Sequence, residues 1–270
     1  MSARRKFWSW FSRPAAPLAA SGSDGRRVLV AGASGAIGSA LAEAFAADGA
    51  RLALHGRRAD ALAGLAARLT TADGTAPAVL CADCASTDGA QALFTAAEAA
   101  LGGAPEVLVI AIGSARDDAL PMLGDADAAA VIADNLAPVV HLCEAMRAAR
   151  TRAGGGGRIV IVSSITGLVG QPMRALYGAA KGATMAYAKS LARETAASGL
   201  TVNCIAPQVL DGGLASLMRA HVRQTILGAT PLARACQPDD LAAAARFLAS
   251  PGAGYVTGTV VNVTGGLVTW

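Results

Sequence analysis

Seven short apolar runs punctuate the chain: VLVAG, RLALH, AVLCA, EVLVIAIG, RIVIVSS, TVNCIA and TVVNV. Each is close to continuously hydrophobic instead of alternating with polar residues, which is the pattern of strands covered on both faces. The stretches between them are mostly Ala-rich segments of ten or more residues, where alanine favours helix. This alternation predicts an α/β protein, a single doubly wound parallel sheet with helices on both faces. A length of 270 residues suits one such domain. We place it at residues 26–270, after a basic, aromatic-rich extension and linker at residues 1–25. The glycine run from Gly154 to Gly157 predicts a flexible loop before the RIVIVSS strand.

The first strand runs into AGASGAIG and then an amphipathic pattern. Gly32, Gly35 and Gly38 allow a sharp turn and close approach of a pyrophosphate, with Ser34, Ala36 and Ile37 lining the turn. A helix beginning near Ile37 would meet the phosphate charge with its N-terminus. Strand, glycine turn, helix and strand together predict a Rossmann-type nucleotide site. At the end of the second strand an NAD site places a carboxylate for the ribose 2'-hydroxyl. Here stand Gly56, Arg57 and Arg58. A guanidinium suits a 2'-phosphate, so NADP(H) is the expected cofactor; the alternative is a solvated basic turn.

Ser164 ends the RIVIVSS run, at the carboxyl edge of the expected sheet where such folds place ligands. Tyr177 and Lys181 follow with a spacing of i, i+4, so they share a helix face and the ammonium can favour the ionised phenol. A tyrosine in an Ala-rich helix otherwise packs into a core, and a serine after a strand otherwise caps a turn. Serine, tyrosine and lysine together make a proton donor and its helpers.

Over residues 26–269 the chain resembles the short-chain dehydrogenase/reductases, and within them it is most similar to the 3-oxoacyl-[acyl-carrier-protein] reductases. AGASGAIG stands where the family has TGxxxGxG, and Ser164, Tyr177 and Lys181 match its catalytic serine and YxxxK. Asn135 matches the helix asparagine that completes a catalytic tetrad, and Asp83 matches the acidic residue that meets adenine. The resemblance also assigns Cys84, Gly113, Pro207 and Leu210 to the cofactor. It implies hydride transfer from NADPH to a ketone carbon while Tyr177 protonates the oxygen and Ser164 hydrogen-bonds it. Lys181 would hold the nicotinamide ribose, and Asn135 would support a water leading from Lys181 to solvent.

The departures are specific. Ala31 and Ala36 replace the family's Thr and Gly, Ile110-Ala111-Ile112-Gly113 replaces NNAG, Pro207-Gln208 replaces Pro-Gly, and Gly212 replaces a Thr. Leu168, Met173, Leu176, Val209, Leu214, Leu217 and Met218 lie in the two segments that line the substrate cleft in the family, and they favour an acyl chain over a sugar; the alternative is that they are core or tetramer contacts. Arg147, Arg150 and Arg152 are candidates to meet an acidic carrier protein, although Gly155 and Ser198 stand where carrier-protein reductases have arginine. The expectation is NADPH-dependent reduction of a 3-oxoacyl thioester, carrier-protein or CoA linked, in fatty-acid or specialised acyl-chain synthesis. The alternatives are a dehydrogenase of another small or cyclic secondary alcohol and a non-catalytic partner of an active homologue. The family's usual homotetramer, or a hetero-oligomer with a homologue, comes with the resemblance.

Charge alters the picture only at one end. The net charge is +4, yet residues 1–27 alone carry +5, so the remainder is close to neutral and has no nucleic-acid signature. Phe7, Trp8, Trp10 and Phe11 interleave with basic residues across 4–13, a pattern for peripheral membrane or protein contact, a disordered extension or an organelle presequence. This tail has no apolar run long enough to span a bilayer. Five cysteines do not pair into a disulfide framework, which points to a reducing, cytoplasmic setting; membrane association through the tail stays open as one of its readings. The Cys81/Cys84 pair reads as packing, and three scattered histidines give no metal site.

Overall fold

The computed structural model describes residues 25–69, 76–114, 122, 124–208 and 220–269. The expected extension before Gly25 lies outside them, as do Val209 to Met218.

The strands are β1 (Arg27–Ala31), β2 (Arg51–His55), β3 (Ala78–Leu80), β4 (Val107–Ile110), β5 (Gly157–Val162), β6 (Leu200–Pro207) and β7 (Val260–Val263). The helices are α1 (Ala36–Ala47), α2 (Ala59–Arg68), α3 (Thr87–Leu101), α4 (Asp125–Asn135), α5 (Ala137–Arg152), α6 (Thr166–Val169), α7 (Ala175–Thr195), α8 (Ala220–Ala229) and α9 (Pro238–Ala249). All seven strands form one parallel sheet in the order β3-β2-β1-β4-β5-β6-β7. The order reverses between β1 and β4, and the crevice outside their carboxyl ends is where such sheets hold ligands.

The continuous apolar runs have a direct cause. Successive side chains of a strand point to opposite faces. Val28, Val30, Val107 and Val109 meet Leu41, Phe45, Leu62 and Leu241 of α1, α2 and α9. Leu29, Leu108, Ile110 and Ile159 meet Leu93, Phe94, Leu142 and Met185 of α3, α5 and α7. Helix ends are set locally: Ser86 caps α3 by accepting from Gly89 N (3.1 Å), Gly102 ends it at φ +71°, and Pro238 opens α9. Among the described residues one stretch, Asp125–Arg152, is long and apolar enough to cross a membrane. It is two helices meeting at Leu136, and Val139, Leu142 and Met146 lie in the core.

The glycine run before β5 is a pinned turn and not a flexible loop. Gly155 N donates to Arg150 O at 2.7 Å and Gly156 N to Ser198 O at 2.6 Å, while Arg150 Nε and Nη2 cap the carbonyls of Gly156 and Gly155. The expected use of Arg147, Arg150 and Arg152 is corrected at the same place. They end α5, which runs down to the amino end of β5, so within one chain they sit at the sheet edge opposite Ser164. Arg150 is buried and committed to backbone, Arg147 pairs with Glu144, and Arg152 with Glu98.

Candidate active site

The nucleotide turn is built by backbone. Gly32, at φ +89°, follows β1, and the N–H groups of Gly32 and Ala33 both donate to His55 O at 2.9 and 2.8 Å. A Cβ at Gly32 would stand 2.5 Å from Ala111 O, and one at Gly38 would overlap the Gly32 carbonyl. Only glycine therefore lets β1 turn beside the end of β4 and lets α1 close on the turn. Gly35 differs, since its Cβ would meet only Gly32 O at 3.5 Å. Helix α1 has no side-chain cap and no acidic residue in its first turn, so its leading N–H groups suit an anion.

A cleft of about 280 Å³ opens beside this turn. Of the residues expected to hold cofactor, Gly32, Ser34, Gly35, Arg57, Arg58, Asp83, Cys84 and Gly113 line it. Ala36, Ile37 and Gly38 form the first turn of α1 behind it, and Pro207 ends β6 with its carbonyl accepting from Ile165 N at 3.0 Å. Leu210 lies outside the described residues. Arg58 donates to Ser34 O, which lays it over the glycine turn, while Arg57 is exposed at the rim. Asp83 Oδ1 accepts from Ala85 N at 3.0 Å. No carboxylate stands at the end of β2, so the donor set there fits a phosphate.

Sequence reasoning missed His55, Ser114 and Asp134, which also line the cleft. His55 ends β2 on the face shared with Ala53, and its Nε2 contacts Ala82 O (3.1 Å) and Cys84 Sγ (3.4 Å). Burial pushes its imidazole below the ordinary value, and the Ala82 carbonyl and Asp83 oppose this less strongly, so the ring is neutral at pH 7. The available signal was a polar residue at the carboxyl end of a strand, the same signal that singled out Ser164. Cys84 packs as expected, but Cys81 is exposed.

Asn135, Ser164, Tyr177 and Lys181 are all buried, from 0% to 8% exposed. Glycines bring them together. A Cβ at Gly167 would lie 2.6 Å from Gly182 N and one at Gly178 3.1 Å from Thr166 O, so α6 and α7 touch through backbone and carry the segment after Ser164 onto the helix of Tyr177. Ser164 Oγ accepts from Thr166 N at 3.2 Å, which leaves its hydroxyl proton to donate. Lys181 Nζ lies 5.7 Å from the centre of the Tyr177 ring and donates to Ile112 O at 3.2 Å. Burial lowers the lysine from 10.5 to about 8, opposed by the Cys204 thiol. Asn135 Nδ2 donates to Ser114 O and Val131 O, both at 3.0 Å, while its Oδ1 is buried without a partner. A Cβ on Gly113 (φ +154°) would fall 2.6 Å from that Oδ1 and 2.8 Å from Lys181 Nζ. Both polar atoms thus converge on a position that only glycine leaves open.

A family model described as enoyl-(acyl carrier protein) reductase matches residues 31–268. Nodulation protein G of Rhizobium sp. (strain N33) is 36% identical over 243 residues, covering 90% of this chain and 97% of the relative. A 3-oxoacyl-[acyl-carrier-protein] reductase of Chlamydia trachomatis is 32% identical over 244 residues, covering 90% and 97%. Among solved structures, a 7α-hydroxysteroid dehydrogenase complexed with NADH and 7-oxo glycochenodeoxycholic acid superposes with a TM-score of 0.83 at 27% identity, covering 90% of this chain and 94% of that one. The chain belongs to the short-chain dehydrogenase/reductase family, enzymes that use a nicotinamide cofactor to act on CH–OH and C=O groups.

Proposed function

We propose that the protein reduces a 3-oxoacyl thioester to its 3-hydroxyacyl form with NADPH. The observation that carries this reading is the buried Tyr177 with Lys181 Nζ 5.7 Å from its ring, at the sheet edge that also holds the nucleotide cleft, where Arg57 and Arg58 and no carboxylate follow β2. When bound, the reduced nicotinamide supplies hydride to the carbonyl carbon. Tyr177 gives its proton to the carbonyl oxygen as a positioned general acid. Ser164 donates its free hydroxyl proton to the same oxygen as charge builds there. Lys181 offers its remaining protons to ribose hydroxyls and its charge to the phenolate left on Tyr177. Asn135 Oδ1, the unpaired acceptor beside Gly113, supports the path by which Lys181 regains a proton from solvent. Gly32, Ser34, Gly35 and the start of α1 take the pyrophosphate, Arg57 the 2'-phosphate and Asp83 the adenine end.

The thioester substrate is favoured by the reductases among the relatives and by part-buried Leu176, next to Tyr177 in α7, whereas Leu168 packs against the core. Nodulation protein G stands at higher identity and names no substrate. A carrier protein bearing the acyl chain, assembly as a tetramer and a cytoplasmic location come with the same reading. The test is NADPH oxidation by the purified protein with a short 3-oxoacyl thioester, beside NADH and a Tyr177→Phe control. Turnover with NADPH that the variant loses supports the proposal. Reduction of a 2-enoyl thioester with the 3-oxo compound inert would overturn it.

A further inference from the structure

We propose that Arg174 is a second cation on the catalytic phenol, a positioning residue that acts with Lys181 to set the ionisation of Tyr177. The inference rests on the reading of Tyr177 as proton donor. Arg174 precedes α7 and stands three residues before Tyr177, as Lys181 stands four after it, so both reach the ring from one helix face. The Arg174 guanidinium carbon lies 5.9 Å from the ring centre and Lys181 Nζ 5.7 Å. Arg174 is only half-buried, and a guanidinium keeps its charge throughout the working pH range.

The turn that delivers Arg174 is held under strain. Met173 takes φ +65°, the left-handed region that a side chain disfavours. The turn closes through Arg174 N to Gln171 O at 3.1 Å, and Thr166 Oγ1 ties it to α6 by donating to Gln171 Oε1 at 3.3 Å. Arg174 O accepts from Gly178 N at 2.7 Å, so the arginine is fixed to the first turn of the catalytic helix. Asp134 of α4, at the cleft rim, accepts from Ser114 Oγ at 2.8 Å. Asn135, Ser164 and Thr166 are neutral, and the Cys204 thiol of β6, pushed up to about 12, is neutral too. A cation about 6 Å from the centre of a phenolate ring, in a medium between protein and water, shifts its ionisation by roughly one pH unit, a tenfold change in phenolate fraction.

The test is ultraviolet titration of tyrosinate in the folded apo-protein, which needs no substrate and so stands apart from the thioester assay. The chain has three tyrosines. Burial raises Tyr187 out of range, and Tyr255 is fully exposed, so subtracting the Tyr177→Phe titration isolates the third. Arg174→Gln is expected to move the Tyr177 midpoint up by about one pH unit, and Arg174→Lys to hold it within a few tenths. With a turned-over substrate, the pH profile of kcat should move by the same amount. An unchanged midpoint in Arg174→Gln overturns the proposal, as does an equal shift in Gln and Lys variants, which would mark a structural role. If the Gln variant does not fold, Arg174→Met, with a similar apolar stem, gives the same reading.

Discussion

Lys181 is held in a site that disfavours its charge, so replacing it by methionine should stabilise the protein while abolishing turnover. The side chain is 3% exposed, has one neutral acceptor at Ile112 O, and titrates near 8 instead of 10.5. At 1.36 kcal/mol per pH unit, that depression makes the folded state about 3 kcal/mol less stable when the lysine is protonated. The sign follows from proton uptake: the unfolded lysine binds its proton more tightly, so stability rises as pH rises from about 8 to 10.5. Below about 8 the cost is present in full. Methionine fills similar space without the charge but gives up the bond to Ile112 O, worth about 1 kcal/mol. Lys181→Met should then be about 2 kcal/mol more stable at pH 7, an advantage that vanishes near pH 10. Urea unfolding of both apo-proteins at several pH values measures this, with m-values checked for equality. A variant less stable at pH 7, or a difference flat across pH, would refute the reasoning, because either means that the ammonium is well solvated or paired in the fold.

Gly113→Ala should cut turnover by about a hundredfold with little change in far-ultraviolet dichroism, because its methyl would press on Asn135 Oδ1 and Lys181 Nζ together. Steady-state kinetics with a 3-oxoacyl thioester reads it, and an unaffected kcat sinks the convergence argument. Arg57→Asp should raise the KM for NADPH at least tenfold and lower that for NADH, since a carboxylate replaces the rim cation; equal KM values in variant and parent would count against a 2'-phosphate at this rim. Asn203→Ala should cost about 2–3 kcal/mol in urea unfolding, because fully buried Asn203 ties β6 to the chain before β7 through Val256 O (2.8 Å) and Thr259 N (3.2 Å).

The five inner strands were legible as apolar runs because both faces of the sheet are covered there, and hydrophobicity without period is then the strand signal; edge strand β3, with Val79 exposed, is apolar without that cover. Ser164, Tyr177 and Lys181 were legible because spacing along one strand end and one helix fixes their placement. What the sequence concealed depends on where a chain turns. Arg174 and Tyr177 are three residues apart, yet their contact needs Met173 in a left-handed conformation, which no propensity at methionine announces. Arg150 reads as a surface cation on an amphipathic helix and is instead consumed by the carbonyls of a glycine turn. The arginines of α5 lie away from the cleft for a related reason: a helix antiparallel to the sheet ends at the edge opposite the ligand.

The missing asparagines after β4 bear on whether the site works at all. Ile110 and Ala111 carry no side-chain amide, but the backbone ladder continues beyond β4 through Ala111 N, which donates to Ala31 O at 2.7 Å. Ile110 is fully buried in the α3–α5–α7 layer, so an apolar side chain holds the strand end from below. The groups that touch the site come from the next residues and are backbone: Ile112 O receives Lys181, Ser114 O receives Asn135, and Gly113 leaves room for both. None of these depends on a side-chain amide at 110 or 111. Support by packing in place of cross-sheet hydrogen bonds leaves the positions of Lys181 and Asn135 intact, and so favours an active enzyme over a partner that kept only the fold.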